Sequence, residues 1–284
     1  MASDQAITVR ELLTFYLEAG VDCALGDEPI DRLSTPDLTP PDRPTAAEPG
    51  TAPVAARQPP RQTATAAPRA GIAPPPDIAI ESAREAARTA PSLEALRALL
   101  ESFEGCALKF TASQLVFADG NPQARLMFVG EAPGRDEDIE GLPFVGRSGQ
   151  LLNRMIGAIG LKRSDVYIAN VIPWRPPGNR TPTPQETQIC LPFIQRQVEL
   201  VNPDVLVTLG NPSTQTLLQT REGIMKTRGK WFDYDTGTRT IRAMATFHPA
   251  YLLRSPSYKR MAWLDLRAVA RALEDKMPEQ SAST

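Results

Sequence analysis

Three side chains in this sequence combine reactive chemistry with a position at a sharp turn of the chain: Glu131, Glu137 and His248. The two glutamates lie in residues 128–152, FVGEAPGRDEDIEGLPFVGRSGQLL, directly after an apolar run suited to a buried strand. Gly130, Pro133 and Gly134 then force a tight turn, and glycines there let a ligand approach the main chain. Five carboxylates follow within ten residues: Glu131, Asp136, Glu137, Asp138 and Glu140. A solvated acidic face rarely sits between a core strand and a glycine turn. Glu131 and Glu137 are therefore expected to flank a pocket at the carboxyl end of a parallel strand, where open α/β sheets hold their ligands. His248 is the only histidine in the chain and closes a strand-like run over 241–247. A lone histidine is more often structural than catalytic, but a strand end beside Pro249 and ahead of a basic loop favours a site. Asn170 ends another such run, and its amide offers a donor and an acceptor side by side, unless it only forms a turn.

The wording GEAPGxxED followed by GxPFVGxxGxLL resembles the first motif of family 4 uracil-DNA glycosylases, and HPAYLLRSP from His248 resembles their second. Matching stretches cover about residues 106–273. The resemblance implies a monofunctional enzyme that flips deoxyuridine out of DNA and hydrolyses its N-glycosidic bond. Uracil is released and an abasic site is left for base excision repair. It implies catalytic roles for Glu131, Glu137 and His248, a base pocket of Gly130, Ala132, Phe144 and Asn170, and stacking of Phe144 on the extruded ring. Better-known glycosylases carry an aspartate where this chain has Ala132, so both glutamates stay candidates: either could orient water, and Glu137 could instead wall off the pyrimidine C5. DNA contacts are expected from Arg175, Asn179, Arg180, Pro249, Leu252, Leu253 and Arg254. The apolar tip Tyr251, Leu252 and Leu253 would wedge into the duplex, or would simply be core.

The family binds an iron-sulfur cluster through four cysteines. Here only Cys106 and Cys190 match, and Phe103 and Trp174 stand at the other two positions. Two thiolates are too few for such a cluster, so no cofactor and no metal are expected. Cys23 is remote from these positions, and a two-cysteine zinc site lacks further ligands. The competing readings are a non-catalytic binder of uracil-containing or abasic DNA, or a relative that becomes covalently trapped on it. Asn179 in the proline loop GNRTP, with no histidine there, argues against trapping. A generic nucleotide binder lacks support, because no GxGxxG or lysine-bearing phosphate loop is present.

The elements that must position these residues alternate strand and helix. Strands are expected near 126–129, 164–171, 204–210 and 241–247, with an irregular one near 115–117 and a hairpin turned by DTG around 234–240. Helices are expected over 82–90 and 92–103, from 148, over 187–201, from 211 and over 263–273. That order implies a three-layer α/β/α sandwich around a short parallel sheet of about four strands. Residues 1–34 read as a small helical segment, 35–78 as a disordered linker rich in Pro and Ala, 79–275 as the catalytic domain, and 276–284 as a disordered tail. Residues 1–50 hold ten acids and three bases, which leaves the remainder with a net charge of +5 out of a total of −2. A locally basic face for nucleic acid is compatible with that balance. Without a transmembrane span or an export signal, the expected setting is the cytoplasm, with the nucleoid, and the expected state a monomer with no membrane partner.

Overall fold

The computed structural model describes residues 76–275. The expected helical segment over 1–34 with Cys23, the linker up to residue 75 and the tail over 276–284 lie outside the described residues. The sheet is built from β1 (Asp119–Gly120), β2 (Leu126–Gly130), β3 (Tyr167–Asn170), β4 (Val205–Leu209), β5 (Trp231–Asp235) and β6 (Thr240–Thr246). Their order is β1-β3-β2-β4-β6-β5. The inner four run parallel, and the short β1 and the hairpin strand β5 add antiparallel edges. The expected parallel core is thus present, with an edge on each side. β2, β3 and β4 are buried along their whole length, which explains why they are written as unbroken apolar runs rather than as alternating ones.

Successive side chains still point to opposite faces. Met127, Val129, Tyr167 and Leu206 face one core, while Leu126, Phe128, Ile168 and Val207 face the other. The first face is covered by α1 (Pro76–Thr89), α2 (Leu93–Ser102) and α5 (Pro184–Val201). The second is covered by α4 (Arg147–Ala158), α8 (Pro249–Arg254) and α9 (Lys259–Glu274). Three layers result. Three shorter helices complete the inventory of the described residues: α3 (Arg135–Glu140), α6 (Asn211–Leu217) and α7 (Ile224–Thr227).

Besides the unexpected short elements β1, α7 and α8, three departures from the expected elements stand out. α1 begins at Pro76, inside the stretch assigned to the linker, because Ala79, Ala83 and Ala87 form a buried stripe spaced by four residues. A search for large apolar residues passes over such a stripe. No strand forms over 115–117; a single hydrogen bond from Val116 N–H to Pro173 O holds that segment. The acidic run after Gly134 coils into α3, whose first turn carries Asp136, Glu137 and Asp138 against the positive end of the helix.

Candidate active site

The strand order reverses beside β2: the chain passes from β2 to β3 on one side and later places β4 on the other. At such a switch point the loops leaving neighbouring strands diverge and open a crevice. Here a cleft of about 610 Å³ is lined from the carboxyl ends of all four parallel strands. Glu131 and Ala132 enter from β2, Asn170 from β3, Leu209 to Asn211 from β4, and Phe247 and His248 from β6. Glu137, Phe144, Asn179, Arg180, Tyr251 and Arg254 complete its wall. Of the expected site residues, Gly130, Arg175, Pro249, Leu252 and Leu253 do not line it.

Gly130 acts from beneath. A Cβ there would come within 2.5 Å of Asn170 Oδ1 and 2.6 Å of the Phe144 ring, so only glycine lets both side chains close over the end of β2. Asn170 is buried, and its Oδ1 has no hydrogen-bond partner among the described residues. A buried carbonyl oxygen left alone costs about 1–3 kcal/mol, a cost that a bound N–H group would remove. Gly210, at φ 90, brings β4 against the base of His248: a Cβ would lie 2.9 Å from His248 Cβ.

His248 caps α8, and its Nδ1 accepts a hydrogen bond from Ala250 N–H at 3.1 Å. That bond fixes the tautomer. With Nδ1 occupied as an acceptor, the proton of the neutral ring sits on Nε2, which is then a donor. Burial, helped by the positive charge of Arg254, pushes the imidazole down from its usual 6.5 to about 4, so it stays neutral near pH 7. The Phe144 ring lies 5.5 Å from it, tilted by 32°.

The two glutamates differ. Among the described residues no hydrogen bond reaches the half-buried Glu131 carboxylate, and burial pushes its pKa up. Glu137 is committed. Its Oε2 accepts from Gly134 N–H at 3.0 Å, and its Oε1 accepts from Val145 and Gly146 N–H at 3.1 Å each. Three main-chain donors hold the Glu137 carboxylate at the cleft wall, which ties the glycine turn to the loop carrying Phe144.

The residues expected to touch DNA differ in their surroundings. Leu252 is buried in the core shared with α4 and α9, so of the apolar tip Leu253, 37% exposed, and the partly exposed Tyr251 are the side chains within reach of a duplex. Pro249 is buried at the first turn of α8, where its fixed φ starts the helix. Arg175 donates to Asn179 Oδ1 at 2.7 Å and lies 3.8 Å from the buried Asp138 carboxylate. Arg180 forms a two-pronged pair with Glu186 at 2.6 and 2.8 Å. These contacts hold both guanidiniums against the proline loop and its neighbours, with both Arg180 Nη atoms engaged by Glu186 and Arg175 bonded through Nε. Asn211 was not singled out, yet it lines the cleft, and its Oδ1 has no partner among the described residues. The strand-end rule that found Asn170 and His248 applies equally to the carboxyl end of β4.

Cys106 and Cys190 are both buried, with sulfurs 3.9 Å apart. The hydrogen bond from Cys190 to Cys106, together with burial, pushes the Cys190 thiol up. Phe103 and Trp174 are packed into the same core, and Phe103 meets Phe193 edge-on at 5.0 Å. A four-cysteine cluster does not fit this arrangement, because aromatic side chains packed in the same core stand in place of half of the donor set.

Comparison with known proteins matches residues 117–267 to the Uracil DNA glycosylase superfamily. A type-4 uracil-DNA glycosylase of Archaeoglobus fulgidus is 37% identical over 191 residues, 66% of this chain and 96% of that protein. The type-4 uracil-DNA glycosylase of Thermotoga maritima is 44% identical over 153 residues, 54% of this chain and 78% of its own. That of Saccharolobus solfataricus is 42% identical over 176 residues, 60% and 82% of the two chains. The sheet order, the cleft at the strand ends and these identities agree: the chain belongs to the uracil-DNA glycosylase superfamily, on its type-4 branch.

Proposed function

We propose that this protein is a monofunctional uracil-DNA glycosylase that hydrolyses the N-glycosidic bond of deoxyuridine, releasing uracil and leaving an abasic site for base excision repair. The observation that carries this reading is the pair of side chains lining one cleft: Asn170, whose buried Oδ1 has no partner among the described residues, and His248, whose ring proton is left on Nε2 by the Ala250 N–H. Uracil suits both, with its N3–H to Asn170 and its O2 to His248. Cytosine presents an acceptor at N3 and leaves Asn170 Oδ1 unsatisfied. The nucleotide must leave the duplex to reach this depth, at a cost of a few kcal/mol that contacts to the DNA backbone offset. Leu253 and Arg254 on the exposed side of α8 support those contacts, and we propose that the enzyme acts as a monomer.

The chemistry follows from the geometry. As the C1′–N1 bond breaks, its electron pair moves onto uracil and collects at O2, where the neutral His248 donates a hydrogen bond from Nε2. Positive charge develops on the sugar, and the ionised Glu131, free of other partners, stabilises it and orients water toward C1′. The water oxygen bonds to C1′, and its proton ends on the departing uracil. Glu137 holds the scaffold instead of taking part. Among the described residues no helix is long and apolar enough to cross a membrane, and we place the enzyme's work at DNA in the cytoplasm.

The test is to incubate the protein with a uracil-containing oligonucleotide and assay free base together with alkali-labile sites. Both should appear in equal amounts. A protein that shifts the DNA in a gel and frees no uracil would be a binder. We also propose that the enzyme works without an iron-sulfur cluster, because its donors are half replaced. The purified protein should show no broad visible absorbance and no stoichiometric iron, and a band near 400 nm that bleaches on reduction would contradict this.

A further inference from the structure

Phe144 adopts φ 54, a left-handed backbone conformation that a bulky residue keeps only when its surroundings impose it. Two charged side chains impose it from opposite sides. From below, Glu137 takes the amides of Val145 and Gly146. From the other side, Arg163 takes the carbonyls immediately before them. Its Nη2 donates to Pro143 O at 2.6 Å and its Nη1 to Phe144 O at 3.1 Å. The same guanidinium is aimed by Asn153 Oδ1 at 2.9 Å and by Asp119 Oδ2 at 2.5 Å. Arg163 lies in a short turn leading into β3, and it does not line the cleft.

We infer that Arg163 is a positioning residue for base excision: through the Pro143 and Phe144 carbonyls it locks the Phe144 ring in the slot where the extruded uracil stacks. This rests on the glycosylase reading above. The ring it fixes presses on Gly130 beside Asn170 and stands 5.5 Å from His248, so a small rotation of the Phe144 backbone displaces the platform from both recognition groups. Displacement of that size costs on the order of 100-fold in rate. Lysine does not replace the arginine, because a point charge cannot span four acceptors set around a planar fork.

The experiment compares wild type, Arg163→Lys and Arg163→Gly in the full chain, under single turnover on uracil-containing DNA. Both variants should release uracil on the order of 100-fold more slowly. Their affinity for DNA carrying a tetrahydrofuran abasic analogue should stay within about 2-fold of wild type, since that ligand has no base to stack and is held by backbone contacts. Methylguanidinium should restore the rate of Arg163→Gly by roughly tenfold or more, as the rescuing ion offers the same planar fork, and should do nothing for His248→Ala. If Arg163→Lys releases uracil at the wild-type rate, the inference is wrong. Abasic-DNA affinity that collapses in parallel with the rate, or the absence of methylguanidinium rescue, would reduce Arg163 to a general stability role and overturn it equally. Failure of the wild type to release uracil would instead remove the glycosylase reading, and the inference with it.

Discussion

His248→Ala is expected to slow uracil release under single turnover by on the order of 100-fold or more, while binding of abasic DNA changes little. The loss concerns an interaction that gains strength only as charge reaches uracil O2, so it should appear in the chemical step and not in ground-state affinity. The donor is already neutral: burial holds its pKa at about 4, and the Ala250 N–H fixes the proton on Nε2. No histidine limb should therefore appear in the rate profile between pH 5 and 8. The same depression has a consequence for stability. The unfolded chain protonates His248 near 6.5 while the folded chain resists until about 4, so this group's contribution is complete above pH 6.5 and is lost as pH falls from there toward 4. A rate that rose or fell with a midpoint near 6.5 and vanished in His248→Ala would contradict the neutral-donor account.

Glu131→Gln is expected to have the second large effect, a loss of roughly 10²–10⁴-fold. Glutamine keeps the shape and removes the charge that faces the electron-deficient sugar. Because burial raises the Glu131 pKa, the carboxylate is ionised only above a midpoint displaced upward from the ordinary carboxylate range. The wild-type rate should climb with pH through that midpoint and then level off. In Glu131→Gln the residual rate should be flat across the same interval. Glu137→Gln differs in kind: one amide oxygen and one NH₂ cannot accept from Gly134, Val145 and Gly146 together, so the thermal midpoint should fall along with the rate. Equal rates for Glu131→Gln and wild type would remove Glu131 from the chemistry.

Three of the four parallel strands, β2, β3 and β4, were legible because each is buried on both faces and is written as a mostly apolar run, while β6 carries Arg242 and an exposed Thr240 and is marked by its buried second half. Their ends were legible too. Asn170, His248 and the Gly130 turn each follow such a run immediately, and the rule that ligands bind at the carboxyl ends of strands then gathers them. α3 was missed because it is six residues long and its one large apolar side chain, Ile139, is 60% exposed, so it has no apolar periodicity to detect. The scaffolding contacts of Glu137 were hidden for a different reason. Its partners are amides at positions 134, 145 and 146, and only the folded turn brings them round one carboxylate. Arg163 escaped notice in the same way, since its acceptors come from residues 119, 143, 144 and 153. Leu252 and Leu253 are neighbours in sequence, but which of them faces solvent is set by the contact of α8 with the core beneath α9. The acceptors that hold the arginines of the proline loop, Asn179 for Arg175 and Glu186 for Arg180, are likewise assigned only in the fold.

The most direct measurement exploits the solitary histidine. Nitrogen NMR of protein labelled at that imidazole reports its tautomer, its titration and its neighbour in one spectrum. A neutral ring protonated at Nε2 from pH 8 down to about 5, with that N–H shifting when DNA bearing a non-cleavable deoxyuridine analogue is added, is the predicted result. An imidazole that titrates near 6.5, carries its proton on Nδ1, or ignores the added DNA would contradict the account.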